Sequence, residues 1–256
     1  AAEDLAEGDW VYVPDSIPQP ASDGGVTSMD TTGGMRPNPS DPQGGLSPAR
    51  GAILGYLAGD RNVYYNRTAG SYGIRFTNAE EELLADFERA CADAFDDATP
   101  VRHPSEQRPD GICTVRLHGK QYVDELLDSG LNLETYDGKR VPEDVTRASR
   151  PTKAAFVRAL ADSEGSVDER NVKIASSSYE LLLGTKMLLA EFGVTCQIQP
   201  RPREGKRDIY YLVITADDSL RRFNHHIGFT LDRKQSALDA ACSRTTGTRT
   251  ILDVIP

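Results

Sequence analysis

Two nine-residue stretches, ILGYLAGDR (Ile53–Arg61) and VRALADSEG (Val157–Gly165), restrict what this chain can fold into. Each closes an apolar helical pattern. Each carries small residues four apart, Gly55 and Gly59 in one and Ala159 and Ser163 in the other, and such pairs share a helix face. Small faces allow two helix backbones to touch. Each stretch also puts an acid at its eighth place, Asp60 and Glu164. If the two small faces pack together, the carboxylates arrive side by side at one end of the helix pair.

The surroundings of the two stretches repeat as well. The first half reads as helix SPARGAILGYLAGD, with Ser47 placed to cap it and Pro48 at its first position, then strand YGIRFTNA and helix EEELLADFERACADAF. Strands ATPVRH and ICTVRLHG and helix KQYVDELLDSGL follow. The second half reads as helix RPTKAAFVRALADSEG, capped by Thr152, then strand NVKIASSS and helix YELLLGTKMLLAEFG. Strands VTCQIQPRP and DIYYLVITA and helix DSLRRFNHHIG complete the unit, and helix DRKQSALDAAC follows it. Both halves read α-β-α-β-β-α, with apolar alternation in the strands. A doubled unit of roughly a hundred residues predicts a pseudo-twofold molecule.

The expected organisation is a lead at 1–18, a Pro/Gly/Ser-rich flexible linker at 19–50, one repeat at 51–150, a second at 151–245, and a tail at 246–256. No apolar run approaches the roughly 20 residues of a membrane span, and the acidic N-terminus has no signal-peptide pattern. The four cysteines form no CxxC pair, so structural zinc is not expected and a reducing, cytoplasmic setting is.

Charge bears on the choice of partner. Net charge is -10, with 7 Lys against 22 Arg and 24 Asp against 15 Glu. This Lys-poor, Asp-rich balance resembles adaptation to high salt. It is opposite to the basic footprint of a nucleic-acid binder. At molar salt the Debye length falls to about 3 Å, so local arginines remain able to meet phosphate.

The two nonamers resemble the signature of LAGLIDADG homing endonucleases in their single-chain, two-motif form. GKRVP (Gly138–Pro142) is similar to a stretch that precedes the second motif in intein-borne members. SYELLLGTKMLLAEFGV and YYLVITADDSLRRFNHHIGFTLDRK are similar to their second half. The resemblance covers roughly residues 51–243. AEDLAEGDWVYVP (Ala2–Pro14) and ILDVIP resemble the borders of an intein splicing domain, which makes 1–18 and 246–256 splicing-domain segments. The residues that splicing needs are absent: residue 1 is Ala and the last residue is Pro256. Self-splicing by this chain alone is not expected.

The resemblance implies an α/β (α+β) pseudo-twofold fold of two αββαββα repeats, with saddle-shaped antiparallel sheets and two central packed helices. It implies a monomeric, Mg²⁺-dependent enzyme that hydrolyses both strands of double-stranded DNA at a long site, leaving four-base 3′ overhangs. Asp60 and Glu164 match the metal-binding acids, with the carbonyls of Gly59 and Ser163 as further ligands. Lys139 and Lys234 match the basic residue near each metal, and acid precedes lysine in each repeat. The sheets would enter the major groove, which admits a two-stranded ribbon. Candidate DNA readers are Arg75, Arg102 and Arg116, then Lys173, Gln197, Gln199, Arg201 and Arg203.

Other readings compete. Asp162 is expected at the surface or behind the ligands, since Ala58 stands at its place in the first motif. His225 and His226 point apart on a helix and read as packing or surface residues. Tyr64 and Tyr65 read as cover for the core. At the ninth place the first motif has Arg61 where the family has Gly, a residue that permits a sharp helix exit with φ > 0. Arg61 favours one rival, a decayed LAGLIDADG module that binds DNA without cutting, while the intact acid–lysine set argues against it; a second rival is an inert intein insertion.

Overall fold

Helix α1 (Pro48–Gly59) is apolar on nearly every side and is buried on nearly every side, with Ile53, Leu54, Tyr56 and Leu57 all in the core. It starts as its sequence dictates. Ser47 Oγ accepts the Arg50 N–H at 3.3 Å, and Pro48 takes the first helical position. The structure is a computed structural model and describes residues 45–59, 63–105, 111–133, 138–205 and 207–244. The expected segments 1–18 and 246–256 and most of 19–50 lie outside these residues. Within the described part of 19–50, Leu46 and Ser47 are buried and α1 begins at Pro48.

Helix α5 (Arg150–Glu164) lies against α1, and the approach is set by glycine. A Cβ on Gly51 would stand 2.7 Å from the Thr152 carbonyl oxygen. On Gly55 it would stand 2.3 Å from that of Phe156, and on Gly59 3.0 Å from Glu164 Cγ. The partners advance along α5 as the glycines advance along α1, so the helices run parallel and both C-termini emerge at one end. Thr152 does not cap α5. Ser149 holds the N-cap position, and the Thr152 hydroxyl donates to the Leu46 carbonyl at 2.7 Å, tying α5 to the start of α1.

Each central helix is followed by the same elements. After α1 come β1 (Val63–Asn66), β2 (Ser71–Asn78), α2 (Glu81–Ala94), β3 (Val101–Pro104), β4 (Cys113–His118) and α3 (Lys120–Asp128), then a short α4 (Glu143–Arg147). After α5 come β5 (Gly165–Asp168), β6 (Asn171–Ser176), α6 (Tyr179–Glu191), β7 (Gln197–Arg201), β8 (Ile209–Ile214), α7 (Asp217–His226) and α8 (Asp232–Arg244). The sheets are antiparallel with matching orders, β1-β2-β4-β3 and β5-β6-β8-β7. The residue patterns predict only one strand after each motif helix. The structure adds β1 and β5, giving αββαββα. Both are four residues long, and β5 begins immediately after α5 ends, so no turn residue announces it.

Alternation gives each sheet an inner and an outer face. Ile74, Phe76, Val115 and Leu117 point inward, as do Val172, Ile174, Leu212 and Ile214. Tyr56, Phe76 and Phe87 form an aromatic cluster, with ring centroids 4.7 Å apart for the first pair and 5.3 Å for Phe76 and Phe87. The Tyr56 hydroxyl donates to Asp86 Oδ2 at 2.8 Å. No helix among the described residues is long and apolar enough to cross a membrane.

Candidate functional site

The C-terminal ends of α1 and α5 meet. Parallel helices present their unsatisfied carbonyls, and the negative ends of their dipoles, at the same place. Lysines answer this on both sides. Lys139 Nζ donates to the Gly59 carbonyl at the end of α1. Lys234 Nζ donates to the carbonyls of Ala161 at 3.2 Å and Asp162 at 2.6 Å, near the end of α5. The two lysines expected beside the two motifs are therefore both placed there. Burial pushes the Lys234 amine down from its ordinary value, and the carboxylates of Asp162 and Glu164 oppose that shift.

Glu164 ends α5 with its side chain against the Gly59 backbone. A Cβ on Gly59 would lie 3.2 Å from Glu164 Oε1 and 3.2 Å from Ser163 Cβ. Ser163 Oγ donates back to the Ala159 carbonyl at 3.0 Å. Asp60 and Arg61 lie outside the described residues. The second motif still shows what its ninth place requires. Gly165 has φ -97°, so it is not there for a left-handed conformation, contrary to expectation. It is there because a Cβ would stand 2.4 Å from the Ala161 carbonyl oxygen. Arg61 carries that Cβ in the first motif.

Two supports hold the lysine-bearing segments, and each crosses to the other repeat. The Lys139 carbonyl accepts the Ser178 hydroxyl at 2.5 Å, and Val141 packs where a Cβ on Gly184 of α6 would stand, 2.6 Å from Val141 Cγ2. On the other side the Asp232 N–H donates to Glu82 Oε2 at 3.1 Å, and Arg233 bonds Glu80 Oε1 at 2.7 Å, both at the start of α2. A cleft here is lined by Asn78 and Glu80 from the first repeat and Ser163, Ser166 and Lys234 from the second.

Asp162 is not at the surface. It is 2% exposed, and its carboxylate accepts the Thr230 N–H at 2.9 Å and the Leu231 N–H at 3.3 Å, in the turn before α8. Burial raises its pKa and these backbone donors oppose the shift. Sequence reasoning missed this role because the partners lie 68 and 69 residues away. Gly51 was also missed, although its spacing of four from Gly55 was readable.

The expected DNA readers divide by face. Arg75 pairs across from Arg116 on the outer face of the first sheet. Lys173, Gln197, Gln199 and Arg201 share the outer face of the second, where Lys173 bonds Asp168 at 2.6 Å. Arg203 stands in the β7–β8 turn and donates to the Arg207 carbonyl. Arg102 is a correction. It pairs opposite Val115, which is inward-facing, and its guanidinium binds Glu88 at 2.6 Å and Glu81 at 2.6 Å on α2. Strand parity and those carboxylates remove it from the outer face. Tyr64 is another: it sits on the outer face, with its hydroxyl 2.6 Å from His118 Nδ1, while Tyr65 is on the inner side and donates to Asp124. His225 is exposed and His226 half-buried at the end of α7.

Among the described residues no three His, Cys, Asp or Glu side chains gather as a metal cluster. The donors at the helix ends are oxygens, a carboxylate and main-chain carbonyls, which suit a hard divalent cation rather than zinc.

Comparison with solved structures decides the architecture. A variant of the homing endonuclease I-DmoI aligns with a TM-score of 0.59 at 18% identity, covering 75% of this chain and 97% of that one. The fold is the two-repeat LAGLIDADG fold. Residues 151–228 also match the family model of a LAGLIDADG-like domain. Full-length DUF199/WhiA from Thermotoga maritima aligns with a TM-score of 0.52 at 13% identity, covering 80% of this chain and 62% of that one. Solved I-DmoI complexes contain DNA with calcium or manganese.

Sequence relatives occur in Methanocaldococcus jannaschii. The replication factor C small subunit is 27% identical over 186 residues, 72% of this chain and 10% of that protein. Glutamine–fructose-6-phosphate aminotransferase is 23% identical over 201 residues, 76% of this chain and 17% of that protein. The uncharacterized protein MJ0398 is 24% identical over 204 residues, 75% and 70% respectively. This chain thus spans a tenth and about a sixth of the first two relatives.

Proposed function

We propose that this chain is a metal-dependent, site-specific double-strand DNA endonuclease carried as an insertion in a host protein. The observation that carries the reading is the parallel α1–α5 pair, which brings Glu164, the residue preceding Asp60 and both lysines to one end of the molecule. A long duplex lying along the outer faces of the two sheets would present one strand to each motif.

Glu164 and Asp60, with the carbonyls of Gly59 and Ser163, would hold the divalent cation, Mg²⁺ in the first instance. When bound, the cation polarises the scissile phosphate and lowers the pKa of an attacking water. The protein's own contribution is placement. Lys139 and Lys234 are fixed on end carbonyls and would offer positive charge where the scissile phosphate gains negative charge as it is attacked. Arg75, Arg116, Arg201 and the glutamines orient the duplex, with arginine suited to guanine or phosphate and glutamine to adenine.

The insertion reading has separate support. A replication factor subunit and a fructose-6-phosphate aminotransferase are unlike proteins by name, yet each is similar to this chain over a small part of its length. A guest segment common to unrelated hosts accounts for that.

The test is cleavage of DNA carrying the host gene's uninterrupted junction. Salt is scanned from low to molar, with Mg²⁺ or chelator, and Asp60→Asn and Glu164→Gln are included. Defined double-strand cutting that needs the cation and both acids is the expected result. A specific gel shift without cutting would favour the decayed binding module instead, which Arg61 motivates. Neither cutting nor shift would leave an inert insertion.

A further inference from the structure

The two halves of the site are not built alike. In the second repeat, Lys234 belongs to the first turn of α8, where its N–H donates to the Leu231 carbonyl at 2.9 Å. The Leu231 N–H and the Thr230 N–H are gripped by the Asp162 carboxylate. The Lys234 amine then returns to the Asp162 carbonyl at 2.6 Å. The motif helix therefore holds both ends of the lysine's path, with Asp162 acting at each and the Ala161 carbonyl adding a second bond to the amine at 3.2 Å. In the first repeat the sixth motif place is Ala58, which has no carboxylate, and Lys139 sits in a loop held by other means: Asn132 Nδ2 donates to the Gly138 carbonyl, and Ser178 to that of Lys139.

We infer that Asp162 is the positioning residue for Lys234 and serves one DNA strand only, so that the two strands are cut by half-sites of unequal support. The inference rests on the endonuclease reading for its consequence, but its geometry does not. A carboxylate accepting backbone N–H groups at the start of a helix is a charge-assisted cap, here placed inside the protein where water cannot replace it. Its loss frees the first turn of α8 and lets the lysine drift. A displacement of about 1 Å at a reacting centre costs on the order of a hundredfold in rate. Ala58, at the place of Asp162, has no carboxylate with which to hold the Lys139 segment in the same way.

The experiment uses supercoiled plasmid bearing the target and follows nicked and linear product separately. Wild type, Asp162→Ala, Lys234→Met and Lys139→Met are compared. Asp162→Ala should slow cutting of the strand that Lys234→Met also slows, by about a hundredfold, and leave the strand dependent on Lys139 within about twofold, so nicked circles accumulate. Equal slowing of both strands overturns the proposal. In parallel, hydrogen exchange is measured over residues 229–236 and 53–59 in the protein without DNA. Asp162→Ala should speed exchange in the first segment by about tenfold or more and leave the second unchanged. Unchanged exchange at 229–236 overturns the proposal whatever the DNA result. Failure of wild type to cut, with faster exchange in the variant, would overturn the endonuclease reading while leaving Asp162 as the brace of Lys234.

Discussion

Gly55 and Ala159, the third residues of the two nonamers, face one another across the helix pair: a Cβ on Gly55 would stand 2.9 Å from Ala159 Cβ. Equivalent residues meet where the two repeats join, as a pseudo-twofold arrangement requires. The same Cβ would lie 2.3 Å from the Phe156 carbonyl oxygen, a backbone atom with no rotamer to yield. In an exposed helix Gly→Ala is favourable by about 1 kcal/mol. Here overpacking at about 1–3 kcal/mol should win, so Gly55→Ala lowers stability in denaturant titration. A raised midpoint would show that the helices can part without cost.

Arg102 separates position from residue type. Because its guanidinium is held by Glu81 and Glu88 on the inner side, Arg102→Ala should leave the salt dependence of DNA binding unchanged. Arg201→Ala, from the outer face, should reduce the slope of log K against log salt by about one if it meets phosphate. Alternatively it costs about 1–3 kcal/mol at one base pair if it reads an edge. Binding isotherms at several salt concentrations decide, and equal effects of the two variants would contradict the face assignment.

Glu164→Gln keeps the shape of the α5 end and removes its charge. Cutting should fall by about 10²-fold or more, while DNA affinity in the presence of calcium stays near wild type. Chelator should mimic the loss in wild type and added Mg²⁺ or Mn²⁺ should reverse it. Cutting that persists in chelator would remove the cation from the mechanism.

Burial raises the thiol of Cys91 to about 12 and that of Cys196 to about 11. Thiolate is the reactive form, so at pH 8 both should resist a disulfide reagent in the native protein. Both should react once the protein is unfolded. Rapid labelling of Cys91 in native protein would place it outside the core described.

Much of this was legible from side-chain chemistry that repeats locally. The small-residue stripe, the acid at the eighth place and the alternating strands are short-range patterns, and they led to the central helices and both sheets. Lys139 and Lys234 were found through resemblance to a family, since nothing local sends a lysine to a helix end 80 or 73 residues away. For Asp162 the sequence leaves the surface and a place behind the ligands both open, because the donors that settle it lie on a distant turn. The face of Arg102 follows from its strand's register and not from its residue type: Val101 and His103 face outward, so Arg102 cannot. The ninth-place glycine was understood by the wrong mechanism, since its need is for room beside a carbonyl.

The crossing supports around the lysines limit how the molecule can be divided. Val141 seats on Gly184 and Arg233 reaches Glu80, so each repeat carries part of the other's scaffold. A chimera that exchanges one half for that of a relative would bring its own acid and its own lysine yet lose the surface on which that lysine's segment rests. Retargeting by recombination therefore has to move the contact surfaces along with the half, or stay with substitutions on the outer strands.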